Sequence, residues 1–330
     1  MNGRTRLVAI AMLGIRAAAC DAQTANPFAG VSGPAKQIDI GAAEAPLSDL
    51  ERADLDTAVR KHSYSAEKAV MDKAMNEHPD SFELLVMAGR LAYFEKQPKD
   101  AVAALERADK VGTLSEQDRM TLAIAYQFSG QPARSRTALV RLTTLGPKNA
   151  EYPRLLGQLD LLNHHPEDAA REFAAAIALD PDFVRAYEDL GQVYQQLGRV
   201  DEARKTYETG AEVNRRLTIH WEWSPLDLGV VLLKANEFPG AEKLFAEALQ
   251  YKPRFAWGHY YMGQLRQKQG RDLDATNEYK EAVVDDPRLR QAWLALAQEF
   301  TRQNNKTEAD KCMAIFKRLE EGQNALQEKK

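Results

Sequence analysis

The chain has 330 residues, of which 44% are hydrophobic and 28% are charged, and its formal net charge is -4. This composition excludes a largely disordered protein and supplies enough apolar side chains for one elongated domain or two compact ones. The negative net charge and the lack of a Lys/Arg block argue against nucleic acid as a partner, because phosphate binding requires a basic surface.

The first twenty residues have the pattern of an export signal. Residues 1–6 carry two arginines, residues 7–15 form an apolar run, and residues 17–19 are the small alanines that a signal peptidase requires. The run is too short to cross a bilayer, which takes about 20 apolar residues. Cys20 follows at once, and the stretch resembles the lipobox of bacterial lipoproteins, in which this cysteine is lipidated. Cys20 is therefore the predicted lipidation site.

Three outcomes remain open for this segment. Lipidation at Cys20 would produce a membrane-anchored lipoprotein, and cleavage without lipidation would release the chain into the periplasm. An unprocessed start would leave the protein in the cytoplasm. Residues 21–47, which are rich in Ala, Gly and Pro, predict a flexible linker between an anchor and the folded body.

From residue 48 onward the sequence repeats itself with a period of 34 residues, apart from one interval of 38. A small residue recurs in each unit, at Gly89, Ala123, Gly157, Gly191, Gly229, Gly263 and Ala297. A large apolar residue follows sixteen positions later, at Leu105, Leu139, Phe173, Tyr207, Phe245, Tyr279 and Met313. Small residues let two antiparallel helices approach closely, and the large ones fill the space between adjacent pairs. The pattern predicts consecutive helical hairpins.

The turns of these hairpins are marked as well. Residues that tolerate a left-handed helix cap recur at one position of the unit, at Gly130, His164, Gly198, Asn236, Gly270 and Asn304. Prolines follow the second helix of many units, at Pro79, Pro147, Pro181, Pro253 and Pro287.

This pattern resembles the tetratricopeptide repeat. The unit that matches it best contains Tyr187, Leu190, Gly191, Tyr194, Ala203 and Tyr207. The resemblance covers residues 48–323 and implies an all-α fold, a right-handed superhelical solenoid of about eight antiparallel helix pairs. The units are expected near residues 48–81, 82–115, 116–149, 150–183, 184–217, 222–255, 256–289 and 290–323, and residues 324–330 are expected to form a polar tail.

The resemblance also implies where a partner binds, because members of the family use a concave groove lined by the first helix of each unit. Groove positions in two neighbouring units are occupied by the predicted partner-binding residues Trp223, Leu226, Val230, Leu233, Trp257, Tyr260 and Gln264. Lys234 and Lys268 occupy the thirteenth position of the same units. Nearer the N-terminus, groove positions include Phe94, Ile124 and Phe128, which are mixed with polar residues and provide no readable specificity.

The interval of 38 residues lies next to these aromatic residues. Its four extra residues, placed near 218–221, are expected to lengthen one loop and to widen the groove. Trp223, Trp257, Tyr260 and Tyr261 can then form an aromatic pocket for a peptide. In the alternative interpretation these rings fill the defect that the insertion creates. Both interpretations remain open from sequence.

No motif in the sequence indicates an enzyme. A Gly-rich phosphate loop, a Gly-x-Ser-x-Gly elbow and a His-Glu-x-x-His helix are all missing. His164 and His165 form a pair at a predicted turn, where exposed polar residues are usual. Cys312 is predicted to be a small buried hydrophobe. We therefore expect no catalytic residue, no metal site and no cofactor.

The sequence thus predicts a scaffold that binds other proteins or peptides through its groove, with a role in cell-envelope assembly or secretion inferred by analogy. Membrane contact is expected only through an N-terminal lipid anchor. The alternative function is a ligand- or saccharide-binding module, which requires the rings of Trp223 and Trp257 to face the groove and to lie parallel in one plane.

Overall fold

The computed structural model of the chain describes residues 46–61 and 63–327, and for residues 323–327 it describes the backbone only. The described residues form sixteen α-helices and no β-strand. None of these helices is both long enough and apolar enough to cross a membrane. The predicted export signal, with Cys20, and residues 21–45 of the predicted linker lie outside the described residues.

The helices follow one another in chain order. They are α1 Asp49–Arg60, α2 Tyr64–Glu77, α3 Phe82–Phe94, α4 Pro98–Val111, α5 Glu116–Phe128, α6 Pro132–Leu145, α7 Glu151–Leu162, α8 Pro166–Leu179, α9 Val184–Gln196, α10 Val200–Arg216, α11 Trp223–Lys234, α12 Phe238–Tyr251, α13 Ala256–Lys268, α14 Asp272–Asp285, α15 Arg290–Arg302 and α16 Lys306–Gln327. The last helix thus includes residues 324–327 of the predicted polar tail.

The helices fall into two compact units, the first ending at Glu172 and the second beginning at Phe173. In the first unit α1 packs on α2, α3 on α4 and α5 on α6. In the second unit the pairs are α9 with α10, α11 with α12, α13 with α14 and α15 with α16. Each unit is therefore a stack of antiparallel hairpins, which confirms the predicted all-α repeat fold.

The small and large residues of the repeat meet inside the hairpins. A Cβ atom on Gly191 would lie 2.5 Å from Cε1 of Tyr207, and one on Gly263 would lie 2.5 Å from Cε1 of Tyr279. Both tyrosines are buried. The glycine therefore allows the aromatic ring to pass directly over the backbone of the facing helix, which explains the fixed spacing in sequence.

The predicted left-handed turns are confirmed. Gly130, Gly198 and Gly270 have φ between 72° and 77°. His164, Asn236 and Asn304 occupy the same left-handed region with φ between 56° and 63°. Lys96 has φ 57° at the equivalent position of an earlier unit, although lysine is not a typical residue for this conformation.

The insertion is placed differently from the sequence prediction. Most second helices have 14 residues, whereas α10 has 17 and ends at Arg216. The extra residues therefore mainly lengthen a helix, and the loop that follows, residues 217–222, is only slightly longer than its counterparts. Of the three extra residues, 214–216, Asn214 is buried, whereas the two arginines are exposed.

Candidate functional site

The predicted partner-binding residues lie on α11 and α13 of the second unit. Helix α11 contacts α9 on one side and α13 on the other, so these three first helices stand next to each other. Leu226, Val230 and Lys234 follow one another at four-residue spacing along α11. Tyr260, Gln264 and Lys268 do the same along α13. The repeat thus brings two equivalent helix stripes to one face of the second unit.

The predicted residues differ in how much surface they offer. Leu226, Val230 and Leu233 are buried, and Trp257 is 6% exposed. Trp223, Tyr260 and Gln264 are partly exposed, and Lys234 and Lys268 are exposed beside them. A partner approaching this face would therefore contact the exposed and partly exposed side chains. The buried residues would support these side chains from below. A role of all seven residues in binding remains a prediction.

The aromatic residues form one packed cluster around Trp257. The ring of Trp257 lies 6.3 Å from that of Trp223 at an interplanar angle of 47°. It meets Tyr260 edge to face at 5.6 Å and 89°, and it stacks on Tyr261 at 6.0 Å and 29°. Such mixed angles are typical of aromatic packing in protein interiors. The two tryptophans do not lie in one plane, so the ring platform required by the saccharide alternative is not formed.

Tyr260 combines burial with an unusual hydrogen bond. Its hydroxyl accepts a 2.7 Å hydrogen bond from Nε2 of Gln264, one turn further along α13. Burial raises the pKa of Tyr260, so the hydroxyl keeps its proton at neutral pH. With its oxygen occupied as an acceptor, the hydroxyl presents its own hydrogen to an incoming acceptor.

The loop beside this cluster is held by a network that sequence reasoning missed. The indole Nε1 of Trp221 donates a 2.7 Å hydrogen bond to Oε2 of Glu188 on α9. The ring of His220 stacks on Tyr251 at 4.4 Å, and its Nδ1 lies 2.9 Å from the carbonyl oxygen of Asn214. The sequence held one sign of this network: an asparagine, Asn214, and a tryptophan, Trp221, flank the one interval that departs from the 34-residue period. The loop is a fixed support for α11.

The first unit presents a different surface at the equivalent repeat positions. The thirteenth position holds Phe94 on α3, Phe128 on α5 and Leu162 on α7. Phe94 is partly buried against Met120 and Ile124, whereas Phe128 and Leu162 are exposed. Helices α3 and α5 contact each other directly. We call these three residues, Phe94, Phe128 and Leu162, the apolar row of the first unit.

A cavity of about 390 Å³ also lies in the first unit, between α4, α5 and α6. Leu122, Tyr126 and Leu142 form its apolar part, and Arg119 and Arg134 lie at its polar rim. Arg134 is paired with Glu106 at 2.6 Å and donates to the Tyr126 hydroxyl at 2.9 Å. Arg134 is therefore already bonded and offers less of its charge to a ligand in this cavity.

The histidine pair of the sequence analysis lies at the turn between α7 and α8. Both His164 and His165 are exposed. Within residues 46–61 and 63–327, no group of three or more His, Cys, Asp or Glu residues is arranged to hold a metal ion. Cys312 is buried on α16, as predicted, and burial raises the pKa of its thiol.

Consecutive antiparallel helical hairpins, closed by small-to-large contacts and left-handed turns, define a helical-repeat protein. Residues 161–218 match the family model described as Tetratricopeptide repeat. Residues 161–218 therefore contain a tetratricopeptide repeat, and the helices of both units pair in the same consecutive hairpins.

Two curated relatives share only part of their length with this chain. FlbA of Caulobacter vibrioides is 25% identical over 251 residues, which is 76% of this chain but 41% of FlbA. Human protein O-mannosyl-transferase TMTC3 is 26% identical over 142 residues, which is 40% of this chain and 16% of TMTC3. The chain therefore spans less than half the length of either relative.

Solved structures support the fold. Yeast Tom70 aligns with a TM-score of 0.62 at 17% identity, covering 88% of this chain and 64% of the Tom70 chain. PilF of Pseudomonas aeruginosa aligns with a TM-score of 0.52 at 18% identity, covering 67% of this chain and 97% of PilF. At these identities the similarity concerns the fold alone.

Proposed function

We propose that this chain is a non-enzymatic scaffold that binds segments of partner proteins on the first-helix faces of its units. The observation that carries the proposal is the apolar row of the first unit. Phe128 is 67% exposed and Leu162 is 58% exposed, and both occur at the same repeat position on consecutive first helices. Large exposed apolar side chains that share one face are typical of surfaces that contact another molecule.

The family and the energetics support this proposal. Tetratricopeptide repeats generally bind peptides and proteins and are generally not enzymes. Burying one exposed Phe or Leu side chain against a partner would contribute about 1.5–3 kcal/mol. Two such residues on rigid, neighbouring helices therefore supply a substantial part of a micromolar affinity, which corresponds to about 8 kcal/mol.

Site-specific photo-crosslinking tests the proposal. A photoreactive amino acid is placed at position 128, at position 162 and, as a control, at position 273. Leu273 is 73% exposed on the second helix α14, so it matches the exposure of the row without belonging to a first helix. We expect the same partner protein to be crosslinked from positions 128 and 162 in the source cells, and little from 273. Equal crosslinking at all three positions, or none, would contradict the proposal.

The partly exposed residues of the second unit form a second candidate surface. Trp223, Tyr260 and Gln264 stand on the packed aromatic cluster, whose buried members hold them in fixed positions. A rigid, half-exposed aromatic patch loses little conformational entropy when it binds, which favours its use as an anchor for a peptide.

We further propose that the protein is exported and anchored by lipid at Cys20, and that it serves in envelope assembly or secretion. The support is the sequence of residues 1–20, with its basic start, apolar run and small residues before the cysteine. Metabolic labelling with an alkyne fatty acid tests the anchor. Labelling of the wild type but not of Cys20→Ser is expected, and an unprocessed Met1 in the purified protein would contradict export.

A further inference from the structure

The second unit carries a row of cations where the first unit carries apolar residues. The thirteenth repeat position is Lys234 on α11, Lys268 on α13 and Arg302 on α15. These three residues are exposed and lie at the C-terminal ends of consecutive first helices. We call Lys234, Lys268 and Arg302 the basic row. Its members share one edge of the face that also contains Tyr260 and Gln264.

The acidic groups near the basic row leave it with a positive edge. Arg302 pairs with Glu299, whose carboxylate is completely buried and so does not reach a partner. Asp227, two turns before Lys234 on α11, interacts with the ammonium of that lysine. Lys268 has no acidic group within 4.0 Å among the described residues. The three cations thus outnumber the two carboxylates beside them, so this edge keeps a net positive charge.

Desolvation strengthens the attraction for an anion. Lys234 is exposed as a residue, but nearby protein displaces part of the water around its ammonium, and this desolvation lowers its pKa. A cation that has already lost water gives up little hydration when a carboxylate binds to it, and their interaction is stronger than at a fully solvated surface. Lys234 thus suits an anionic group better than a freely solvated lysine does.

The neutral polar side chains of this face can also donate hydrogen bonds to a ligand. The Tyr260 hydroxyl accepts from Gln264, which leaves its hydrogen for an acceptor on a partner. Gln298, at the same repeat position as Gln264 on the next first helix, is exposed and provides a further amide. The Tyr260 hydroxyl hydrogen and the two side-chain amide NH2 groups can donate to carbonyl and carboxylate oxygens of a ligand.

We propose that the face formed by α11, α13 and α15 binds an acidic segment of a partner protein. Aspartate or glutamate side chains of the segment pair with the basic row, and its main-chain carbonyls accept hydrogen bonds from Tyr260 and the glutamine amides. An apolar side chain of the segment packs on the exposed part of Trp223. This inference rests on the proposed function and adds the chemical class of the partner for the second unit.

Selection from a random peptide display library tests the inference on peptides of every composition. The library is selected on the full chain, and the enriched peptides are then measured against Lys268→Glu and against Lys243→Glu. Lys243 is an exposed lysine on the second helix α12, so its reversal changes the net charge equally while leaving the face intact. Circular dichroism checks that both variants keep their helix content.

We expect the enriched peptides to be rich in Asp and Glu and to bind Lys268→Glu at least about tenfold more weakly, with Lys243→Glu close to wild type. Their affinity should also fall as salt is raised from about 0.05 M to about 0.5 M. Enriched peptides that are neutral or basic would overturn the acidic-partner inference while sustaining the proposed function. Failure to enrich any peptide would overturn both. Tighter binding of single-stranded RNA than of the acidic peptides, abolished by Lys268→Glu, would assign the row to nucleic acid and overturn the inference.

Discussion

The side-chain amide of Asn214 forms two hydrogen bonds with the main chain of Trp221. Nδ2 of Asn214 donates to the Trp221 carbonyl oxygen at 2.9 Å, and Oδ1 accepts from the Trp221 N–H at 2.8 Å. Asn214 is completely buried near the end of α10. Its amide therefore replaces a missing backbone partner for the loop, because every buried polar group of the main chain needs one.

Replacement of Asn214 by Ala should destabilise the second unit. Both hydrogen bonds would be lost, so the N–H of Trp221 would lose this partner in a partly buried site, while its C=O would keep the 3.3 Å hydrogen bond from the Ser224 N–H. A loss of about 2–4 kcal/mol in the free energy of unfolding is expected. Urea denaturation followed by circular dichroism measures it. Asn277→Ala, at an exposed site on α14, is the matched control and should change stability by less than about 0.5 kcal/mol. Equal effects of the two substitutions would contradict the structural role of Asn214.

The hairpin architecture could be predicted because its determinants repeat. Gly191 and Gly263 stand opposite Tyr207 and Tyr279 at a fixed spacing, and a pattern seen several times is more reliable than any single residue. The left-handed turns were predictable where Gly or Asn occupied them. Lys96 was missed, because a lysine adopts this conformation only when the two flanking helices impose it.

The candidate site was less predictable than the fold. The repeat register shows which residues of α11 and α13 share a face, but not how deeply each is buried. Trp257 is covered because Trp223 and Tyr260 pack on it, and these contacts depend on side chains from two different repeats. Among the described residues, the hydrogen-bond network of Asn214 occurs in one unit, so the repeat pattern could not predict it.

Glu299 occupies a core position of the last first helix. The equivalent residues of the two preceding units are Val231 and Leu265, both buried. Glu299 is completely buried and pairs with Arg302 through one oxygen, and its Oε2 has no hydrogen-bond partner among the described residues. Burial raises the pKa of this carboxyl above its ordinary value of 4.5. Its ionised form is therefore held in an unfavourable environment.

Glu299→Leu should stabilise the protein at neutral pH. The raised folded-state pKa means that the folded protein holds the proton more tightly than the unfolded chain does. The carboxyl thus favours folding below its unfolded pKa, and this contribution is lost as pH rises through the folded pKa. A gain of about 1–3 kcal/mol is expected at about pH 8 and a smaller one at about pH 5. Urea unfolding at both values measures it. A gain independent of pH would show that titration of Glu299 is not responsible.

Gly191→Ala should destabilise the protein, because the steric cost of the new Cβ exceeds the gain in helix propensity. A new Cβ would approach the Tyr207 ring to 2.5 Å, so the hairpin of α9 and α10 must open or the ring must move. A loss of about 1–3 kcal/mol is expected from this overpacking. Gly322→Ala is the matched control on α16, where no atom of the described part of the chain lies within 4 Å of the new Cβ. That change should stabilise by up to about 1 kcal/mol, because alanine is the better helix former. Thermal unfolding measures both, and a stabilised Gly191→Ala would contradict the close hairpin contact.

Replacing the two tryptophans of the aromatic cluster should change different properties: Trp257 should affect mainly stability, and Trp223 should affect mainly peptide binding. Trp257 is buried among Trp223, Tyr260 and Tyr261, so Trp257→Ala should cost about 3–5 kcal/mol of stability. Trp223 is partly exposed, and Trp223→Ala should cost less than about 2 kcal/mol while weakening the binding of an acidic peptide. Trp293→Ala on α15 is the control, since Trp293 is also partly exposed. Fluorescence anisotropy at a temperature where every variant is folded measures binding. Unchanged affinity in Trp223→Ala would show that the cluster only supports the face, because a ring that contacts the peptide cannot be removed without loss.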